Sequence, residues 1–308
     1  MCDLENCVSI CIPSFNHGAF ISDSINSVLQ QTHQDFELII VDNRSSDNTV
    51  DIVNEYVKID SRVKFHINNH NIGMVGNWNR CLELSKCKFV KILCSDDILE
   101  PTCIERGVNN INISQNVGLV ACARSIVSRN LSPIDVWTYP VSEKEIFGKD
   151  VVRHCLTRGN LIGEPTAVLF RKEFSLRGFN PAYGQLADIE MWLNILTRSN
   201  FYYDSSVQCK FRQHEEQCTK LNMKECKFIE ERFLLVSDYK KSLDTFECNI
   251  ALFMASLEAW HHVRRGYDKE KIVETIDKYF GYKKFLVFYP FRSVLRKINK
   301  NLKITVTP

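Results

Sequence analysis

The sequence predicts an α/β protein with a mainly parallel sheet, and three observations support this. Over residues 8–93, short apolar runs alternate with segments of helical periodicity, which is the pattern of βαβ units with right-handed crossovers. The runs are rich in β-branched and aromatic residues, as buried strands are. Three of them end in a polar cluster: PSFN, DNRSSD and CSDD. Because ligands of such sheets bind beyond the carboxyl ends of the strands, these clusters should converge on one rim.

The elements follow one another in a regular order. The helix after the second strand can be capped by Asp47 or Asn48, and its apolar face is predicted to be Val50, Val53 and Val57. From residue 222 onward the pattern is helical throughout. Apolar runs predict strands at residues 8–12, 36–41, 63–67 and 89–93, and helical spacing predicts helices at residues 19–31 and 75–84.

Composition and charge are those of an ordinary globular protein. The 308 residues include 39 Lys and Arg against 37 Asp and Glu, so no excess of positive charge points to nucleic acid. The N-terminus, MCDLENC, is acidic where a signal peptide would be basic. No apolar run reaches the roughly 20 residues that a membrane-spanning helix needs. We therefore expect a cytoplasmic protein that does not cross the membrane.

The cysteines are predicted to be reduced. There are 13 of them, scattered without a CxxC pair, and several lie inside apolar strand runs. Cys209, His214, Cys218 and Cys226 come closest to a metal cluster, but their spacing fits no zinc pattern. Zinc is therefore not expected.

The stretch KFVKILCSDDILEP carries the clearest chemical signal. Asp96 and Asp97 follow a buried strand directly, where a divalent cation such as Mg²⁺ or Mn²⁺ would neutralise them. Solvated turn residues that cap a helix starting near Thr102 would give the same sequence, so both interpretations stay open on this stretch alone. A cation without a full protein cage implies a diphosphate as co-ligand, and a nucleoside diphosphate fits all three clusters. Neither GxGxxG nor GxxxxGK[ST] is present, which argues against NAD-type and P-loop sites.

Six sequence blocks, in one order across residues 7–220, resemble those of family 2 glycosyltransferases with the GT-A fold. This is the large, nucleotide-sugar-dependent inverting group that includes enzymes of bacterial surface-polysaccharide assembly. The blocks are VSICIPSFN, FELIIVDNRSSDNT, NIGMVGNWN, ILCSDDILEP, ADIEMWLNI and FRQHEEQCT. The resemblance implies a GT-A nucleotide-sugar and catalytic domain at residues 1–220, followed by a helical extension at residues 221–308.

The resemblance also implies residues that bind the nucleotide sugar. The first two blocks hold the base in the family, and Phe15 replaces the usual Tyr, so ring stacking is kept and the phenol hydroxyl is lost. Asp42 by itself could equally be an Asx-turn residue. Asp96 is expected to contact the ribose or the sugar. The implied nucleotide-sugar residues are Pro13, Ser14, Phe15, Asp42, Asn71, Gly73, Asn77 and Asp96.

The implied metal ligands are Asp97 and His214, and the implied cofactor is Mn²⁺ or Mg²⁺. Cys94 stands where many members of the family have another aspartate, so the acidic motif is reduced to a pair. His214 falls where the family often has a histidine near the metal or the diphosphate, although a histidine after a strand is often solvent-facing. Arg212 could assist at the diphosphate, because a guanidinium suits phosphate geometry.

The catalytic base implied by the resemblance is Asp188, at the second position of the family's E-D pair. Ala187 replaces the preceding Glu. Asp188 would deprotonate the acceptor hydroxyl, and it would also suit the first turn of a helix. Glu190 is the alternative base. Glu164 and Arg171 are expected to face the acceptor, or to be partners in structural ion pairs.

The C-terminal tail is basic and amphipathic. After Asp277 there is no acidic residue, and from Lys283 onward there are seven positive charges; beyond Pro290 apolar residues keep helical spacing between the basic ones. This is typical of a helix that lies on an anionic membrane surface, although a packed terminal helix with a solvated basic face has the same pattern. We expect peripheral association with the inner face of the cytoplasmic membrane.

The predicted function is transfer of a sugar from a nucleoside-diphosphate sugar, expected to be a UDP-sugar, to a glycan acceptor. The tail suggests a lipid-linked acceptor, such as a polyprenyl-diphosphate glycan in O-antigen or similar polysaccharide biosynthesis. Two other functions remain open: a metal-dependent nucleotidyltransferase, and a non-catalytic nucleotide-sugar-binding or scaffold protein.

Overall fold

The computed structural model describes residues 5–139, 143–215 and 227–293. These residues form one mixed sheet flanked by helices. The strands are β1 (Val8–Ser14), β2 (Phe36–Asp42), β3 (Val63–Ile67), β4 (Phe89–Ile92), β5 (Ile98–Leu99), β6 (Val117–Ser128), β7 (Pro133–Trp137), β8 (Glu145–Ile146), β9 (Val168–Arg171) and β10 (Asn200–Gln213).

The strand order is β3-β2-β1-β4-β9-β6-β10-β5, with β7 paired to β6 and β8 paired to β10. Strands β1 to β4 are parallel, and β6 is parallel to β10. Strand β9 runs antiparallel to both of its neighbours, β4 and β6. Strands β1 to β4, β6 and β10 therefore all end at one edge of the sheet, which we call the rim. The predicted α/β fold with a mainly parallel sheet is confirmed.

Helices cover both faces of the sheet. Along β1 and β2, alternate side chains enter two apolar cores: Ile10 and Leu38 pack in one, and Cys11 and Ile39 in the other. The helices are α1 (Ile21–Leu29), α2 (Thr49–Ile59), α3 (Gly73–Leu84), α4 (Cys103–Ile111), α5 (Gly148–Arg158), α6 (Ala187–Leu196), α7 (Lys227–Asp238), α8 (Thr245–Val263), α9 (Lys269–Tyr279) and α10 (Tyr282–Phe288).

The predicted elements lie where the sequence placed them, with ends that differ by a few residues. One detail of the predicted packing is wrong. Val57, which was expected on the buried face of α2, is 39% exposed. The helix buries Val53 and packs Ile52 and Tyr56 against the core, so its contact face is rotated away from Val57.

The cysteine prediction is wrong for one pair. Cys7 and Cys87 form a disulfide, with their Cα atoms 5.1 Å apart. The two residues precede the neighbouring parallel strands β1 and β4, in which Val8 is level with Phe89. Register between distant strands brings them together, and their spacing of 80 residues gives no sign of it. The free cysteines among the described residues are Cys11, Cys81, Cys94, Cys103, Cys122, Cys155, Cys209 and Cys248.

The helical extension has its own apolar cluster and also joins the core of the sheet. Phe233, Phe253 and Phe285 are buried together in that cluster. Leu235 and Ala251, from α7 and α8, pack in the core beside α5 and α6. The predicted boundary at residues 220–221 lies outside the described residues, as does the tail beyond residue 293. Within the described ranges, no helix is both long and apolar enough to span a membrane.

Arg171 lies at the edge opposite the rim. It is level with Phe89, the first residue of β4, because β9 runs antiparallel to β4. Its guanidinium is buried and donates to the carbonyl oxygens of Ile111 and Val117, at 2.8 Å each. The expectation that Arg171 faces the acceptor is therefore wrong, since the direction of β9 cannot be read from the local sequence.

We predict that Arg171→Met lowers the free energy of unfolding by about 3 kcal/mol, because buried carbonyl oxygens lose their donors. Chemical denaturation would measure this change. The control is Arg80→Met, which removes an exposed ion pair with Glu83 and should change stability by less than about 1 kcal/mol. A stable Arg171→Met protein with weakened acceptor binding would contradict the structural role.

Candidate functional site

Asp97 is the most constrained carboxylate at the rim. It lies just beyond β4 with only 1% of its surface exposed. Its Oδ2 accepts a 2.6 Å hydrogen bond from the Thr166 hydroxyl, and its Oδ1 accepts a 2.9 Å bond from the backbone N–H of Arg212. Burial, and then the neighbouring carboxylate of Asp96, raise the pKa of Asp97 well above its ordinary value. A nearby cation would remove this unfavourable charge.

A divalent cation fits beside Asp97. One ligand atom each from Cys94, Asp96 and Asp97 lies within 4.8 Å of the others. Mg²⁺ and Mn²⁺ bind carboxylate oxygens together with phosphate oxygens, and each carboxylate oxygen of Asp97 keeps a second lone pair. Burial also raises the pKa of the Cys94 thiol well above its ordinary value, which favours the neutral form and leaves the two aspartates as the harder ligands.

His214 is brought next to this carboxylate pair. It follows β10, is buried, and its Nε2 lies 2.9 Å from Oδ2 of Asp96. The Phe20 ring packs against the imidazole, with ring centroids 4.5 Å apart. His17 lies on the same side, with its Nδ1 2.6 Å from the Ser95 hydroxyl. The sequence argument did not single out His17, although it immediately follows the predicted PSFN cluster.

Arg212 contacts the site through its backbone more than through its side chain. Its backbone N–H donates a hydrogen bond to Asp97, whereas Nη2 of its side chain donates to Oδ2 of Asp23 on α1 at 2.7 Å. The guanidinium also lies over the Phe20 ring, 5.0 Å from the centroid. A role of Arg212 at the diphosphate stays a prediction.

The ends of β1 and β2 form the part of the rim where the nucleotide is predicted to bind. Ser14 is level with Asp42 in the parallel pairing, and Pro13 is level with Val41. The Ser14 hydroxyl is buried and has no hydrogen-bond partner among the described residues, so it is available to a ligand. Phe15, the next residue, is 44% exposed, and its ring can stack on a base.

Asp42 holds its own loop. Its Oδ1 accepts from the backbone N–H of Ser45 at 2.8 Å, and its Oδ2 accepts from the Ser45 hydroxyl at 2.5 Å. This is the Asx-turn geometry that the sequence left open. Asp42 is also fully buried. Any contact of Asp42 with a base or ribose therefore has to share these oxygens with the loop.

A network of asparagines lies beside Asp42. Asn43 donates to Oδ1 of Asn71 at 2.8 Å and to the carbonyl of Gly73 at 3.2 Å. Asn68 donates to Oδ1 of Asn77 at 2.9 Å, and Asn77 donates to the carbonyl of Val41 at 3.0 Å. Asn77 is therefore buried as a tie between α3 and β2, whereas Asn71 and Gly73 are exposed at the rim. Sequence reasoning missed Asn43 and Asn68, although Asn43 follows Asp42 directly.

Asp188 begins the other side of the rim, in the first turn of α6. It is partly exposed, and its Oδ1 accepts from the N–H of Ile189 at 2.7 Å. Burial raises the pKa of Asp188 to about 7, and the nearby carboxylates of Glu164 and Glu231 add to the effect. Asp188 in turn contributes to the raised pKa of the Cys94 thiol, so the carboxylate lies within electrostatic reach of the acidic motif. A carboxylate with such a pKa suits a general base near neutral pH.

Glu190 is held in a structural cluster. Arg177 donates to both of its carboxylate oxygens, at 2.8 and 2.5 Å, and the Tyr239 hydroxyl donates to Oε1 at 2.7 Å. Only 1% of Glu190 is exposed. With its oxygens engaged in this way, Glu190 is a poorer candidate for the base than Asp188.

Helix α7 holds the segment that leads into α6. The carboxylate of Glu231 accepts the backbone N–H groups of Gly184 and Leu186, at 2.8 Å each. The Tyr183 hydroxyl donates to Asp238 at 2.7 Å. The first helix of the extension therefore fixes the chain immediately before Asp188.

Glu164 is within electrostatic reach of both Asp97 and Asp188. Its Oε2 is 2.5 Å from Nε of Arg124 in an ion pair, and its side chain is 26% exposed. Its charge contributes to the raised pKa of both Asp97 and Asp188. Glu164 was expected to face the acceptor or to be a partner in a structural ion pair; it forms an ion pair with Arg124, and its role toward the acceptor stays a prediction.

The rim therefore brings together a buried pair of aspartates, the exposed ring of Phe15 beside the buried Ser14 hydroxyl, and a carboxylate whose pKa is about 7. Comparison with known proteins identifies the family. The model of glycosyl transferase family 2 matches residues 9–177, more than half of the chain. This chain belongs to glycosyltransferase family 2. The resemblance inferred from the six sequence blocks is confirmed.

One curated family member is the Escherichia coli protein named UDP-Glc:alpha-D-GlcNAc-diphosphoundecaprenol beta-1,3-glucosyltransferase WfgD. It is 31% identical over 228 residues, which cover 72% of this chain and 81% of WfgD. Matches to two other curated relatives cover 62% and 69% of their lengths, so this chain spans only part of these proteins.

Solved structures confirm the GT-A fold. The S. aureus TarS 1–349 complex with UDP-GlcNAc has a TM-score of 0.59 and 13% identity, and covers 96% of this chain and 75% of TarS 1–349. The mannosyltransferase PcManGT from Pyrobaculum calidifontis, in complex with GDP-Man and Mn²⁺, has a TM-score of 0.55 and 15% identity, and covers 92% of this chain and 87% of its own.

We predict that Asp188 makes both activity and stability depend on pH around 7. A base must be deprotonated, so kcat/KM should fall about tenfold for each pH unit below 7. The pKa of Asp188 is about 7 in the folded protein and 3.8 in the unfolded chain. Between these two pH values the folded protein therefore holds a proton that the unfolded chain has released. Stability therefore falls as pH rises from about 4 to 7.

The variant Asp188→Asn removes this linkage. It should be more stable than the wild type at pH 8, as stable at pH 4, and inactive in transfer. Denaturation and initial rates measured from pH 4 to 9 would test this, with Asp51→Asn, an exposed aspartate on α2, as the control. A pH profile that is the same in the wild type and Asp188→Asn would rule out Asp188 as the base.

Proposed function

We propose that this protein transfers a sugar, with inversion, from a UDP-sugar to a hydroxyl of a glycan acceptor, assisted by Mn²⁺ or Mg²⁺. One observation carries the proposal: the charge of Glu164 contributes to the raised pKa of Asp97, in the buried carboxylate pair, and to that of Asp188, whose pKa is about 7, so both carboxylates lie within electrostatic reach of Glu164. The first site suits a metal-bound diphosphate, and the second suits removal of a proton from an attacking hydroxyl.

The proposed reaction is a single displacement. The acceptor oxygen attacks the anomeric carbon and forms the new glycosidic bond, while the hydroxyl proton passes to a carboxylate oxygen of Asp188. The bond between the anomeric carbon and the diphosphate oxygen breaks, and nucleoside diphosphate leaves with the electron pair. The attack from the opposite side inverts the configuration. A divalent cation held by Asp97 and Asp96 would stabilise the negative charge of the leaving diphosphate.

The nucleotide would bind along the ends of β1 and β2. The exposed ring of Phe15 is placed to stack on the base, and the Ser14 hydroxyl offers a donor that no described residue uses. The exposed Asn71 and Gly73 lie beside this edge. Uracil is proposed because WfgD is named for UDP-Glc and the TarS complex contains UDP-GlcNAc.

The acceptor is proposed to be lipid-linked, as the name of WfgD states for that relative. The described end of the extension has the surface that such an acceptor requires. Leu286, Val287 and Phe291 are exposed by 48%, 65% and 58%. Exposed Lys283 and Arg292 flank them. Apolar side chains next to basic ones suit the headgroup boundary of an anionic membrane, which supports the proposal that the enzyme associates peripherally with the membrane.

We predict that one UDP-sugar raises the melting temperature of the wild type in Mn²⁺ or Mg²⁺ and is slowly hydrolysed to UDP. Asp97→Asn should lose the metal-dependent part of this stabilisation. Asp188→Asn should keep it and release UDP at least about 100-fold more slowly. A thermal-shift screen and a UDP-release assay measure these effects, with Asp51→Asn again as the control.

The outcomes separate the remaining functions. Release of pyrophosphate or phosphate in place of UDP would indicate a nucleotidyl- or phosphotransferase. Binding of a UDP-sugar without turnover under any condition would indicate a non-catalytic protein. No stabilisation by any nucleoside-diphosphate sugar, with or without metal, would refute the proposed donor site altogether.

We predict that the protein sediments with phosphatidylglycerol vesicles and not with phosphatidylcholine vesicles at low salt. The double variant Val287→Ser and Phe291→Ser should bind vesicles at least about tenfold more weakly, because apolar area is lost from the interface. Ile59→Ser, which changes a residue that is 74% exposed on α2, is the control. Equal binding by the double variant and the control would contradict this surface.

A further inference from the structure

Strand β7 occupies a distinctive place at the rim. It pairs with β6, with Trp137 level with Arg124 and Asp135 level with Ile126. Along β6, the residues that pair with β9 end at Ala121, and those that pair with β7 begin at Arg124. Strand β7 therefore lies on the same side of β6 as β9 and closer to the rim. Every residue of β7 is exposed. The strand therefore borders the open site without being part of the core.

Trp137 is fixed in place, although it is exposed. Its ring lies 5.3 Å from the Arg124 guanidinium and is stacked with the Phe211 ring, with centroids 6.1 Å apart and an interplanar angle of 24°. Its indole N–H donates to Asp135 at 3.2 Å. Trp137 is nevertheless 37% exposed, whereas Trp78 is 7% exposed. Such a ring can receive a ligand without first being ordered.

A cation–π contact and an ion pair join this ring to Glu164. The Arg124 guanidinium that lies over Trp137 also forms the ion pair with Glu164. Glu164 in turn influences the pKa of Asp97 and of Asp188, so it lies within electrostatic reach of both. Glu164 also lies two residues before Thr166, whose hydroxyl donates to Asp97, so the contacts from Trp137 lead toward the carboxylate pair.

We propose that Trp137 is a stacking platform for a pyranose ring of the glycan acceptor, with Glu164 accepting hydrogen bonds from the hydroxyls of that ring. A pyranose has a face of C–H bonds and a rim of hydroxyls. These match an exposed indole beside a partly exposed carboxylate. The proposal rests on the proposed transferase function and adds the residue that holds the acceptor.

Fluorescence tests binding directly, because Trp137 is far more exposed than the buried Trp78 and Trp192. The probes are methyl glycosides of glucose, galactose, mannose, GlcNAc and GalNAc, and the hexyl diphosphate ester of α-GlcNAc, each added with UDP and Mn²⁺. We expect at least one probe to change the tryptophan emission of the wild type. The change should be lost in Trp137→Phe.

Kinetics then separate acceptor binding from catalysis. For the probe that binds, Trp137→Ala should raise the acceptor KM about tenfold, with kcat and acceptor-free UDP release unchanged. Trp137→Phe should keep most of the affinity, since it retains a ring. Val136→Ala is the matched control, because alternation along β7 places the exposed Val136 on the opposite face from Trp137.

Each outcome decides the proposal. Normal acceptor-free UDP release, with no emission change from any probe or an unchanged acceptor KM in Trp137→Ala, would overturn the platform and leave the transferase function intact. If no UDP-sugar binds or is hydrolysed, the proposed function fails, and the platform fails with it. If Trp137→Ala instead dissociates an oligomer in sedimentation and no glycoside binds, β7 is a protein contact and the platform is refuted.

Discussion

The burial of the Asp97 carboxylate is the constraint on which the rest of the site depends. An almost fully enclosed carboxylate is unfavourable, so the fold surrounds it with donors from distant parts of the chain. Thr166 comes from the turn before β9, and the N–H of Arg212 comes from β10. Forming this site therefore requires β4, β9 and β10 to be in register. The acidic motif and the centre of the sheet are therefore one structural unit.

Much of the fold and of the composition of the rim could be predicted from the sequence because the signals are local. Strand β2 is apolar apart from Glu37 until it ends at Asp42, so the place of Asp42 at the rim is a consequence of strand direction alone. The same argument placed Asp96 and Asp97. The position of Asp188 needed the family resemblance, because a helix start beyond residue 180 has no local connection to the first four strands.

What the sequence could not provide depends on contacts between distant segments. Arg171 was assigned to the wrong edge because a strand run does not reveal whether it pairs parallel or antiparallel. The engagement of Glu190 by Tyr239 arises from a helix whose packing is not encoded near α6. The disulfide of Cys7 likewise depends on strand register. Each is a property of the assembled chain and not of a motif.

The two hydrogen bonds that the segment before α6 donates to Glu231 have a consequence for how members of this family can be recombined. The family match ends at residue 177, before both partners of this contact. Exchange of the C-terminal helices between relatives would replace Glu231 while leaving Gly184 and Leu186 unchanged. A working chimera would have to inherit the segment and the helix together, so the natural crossover point lies upstream of α6.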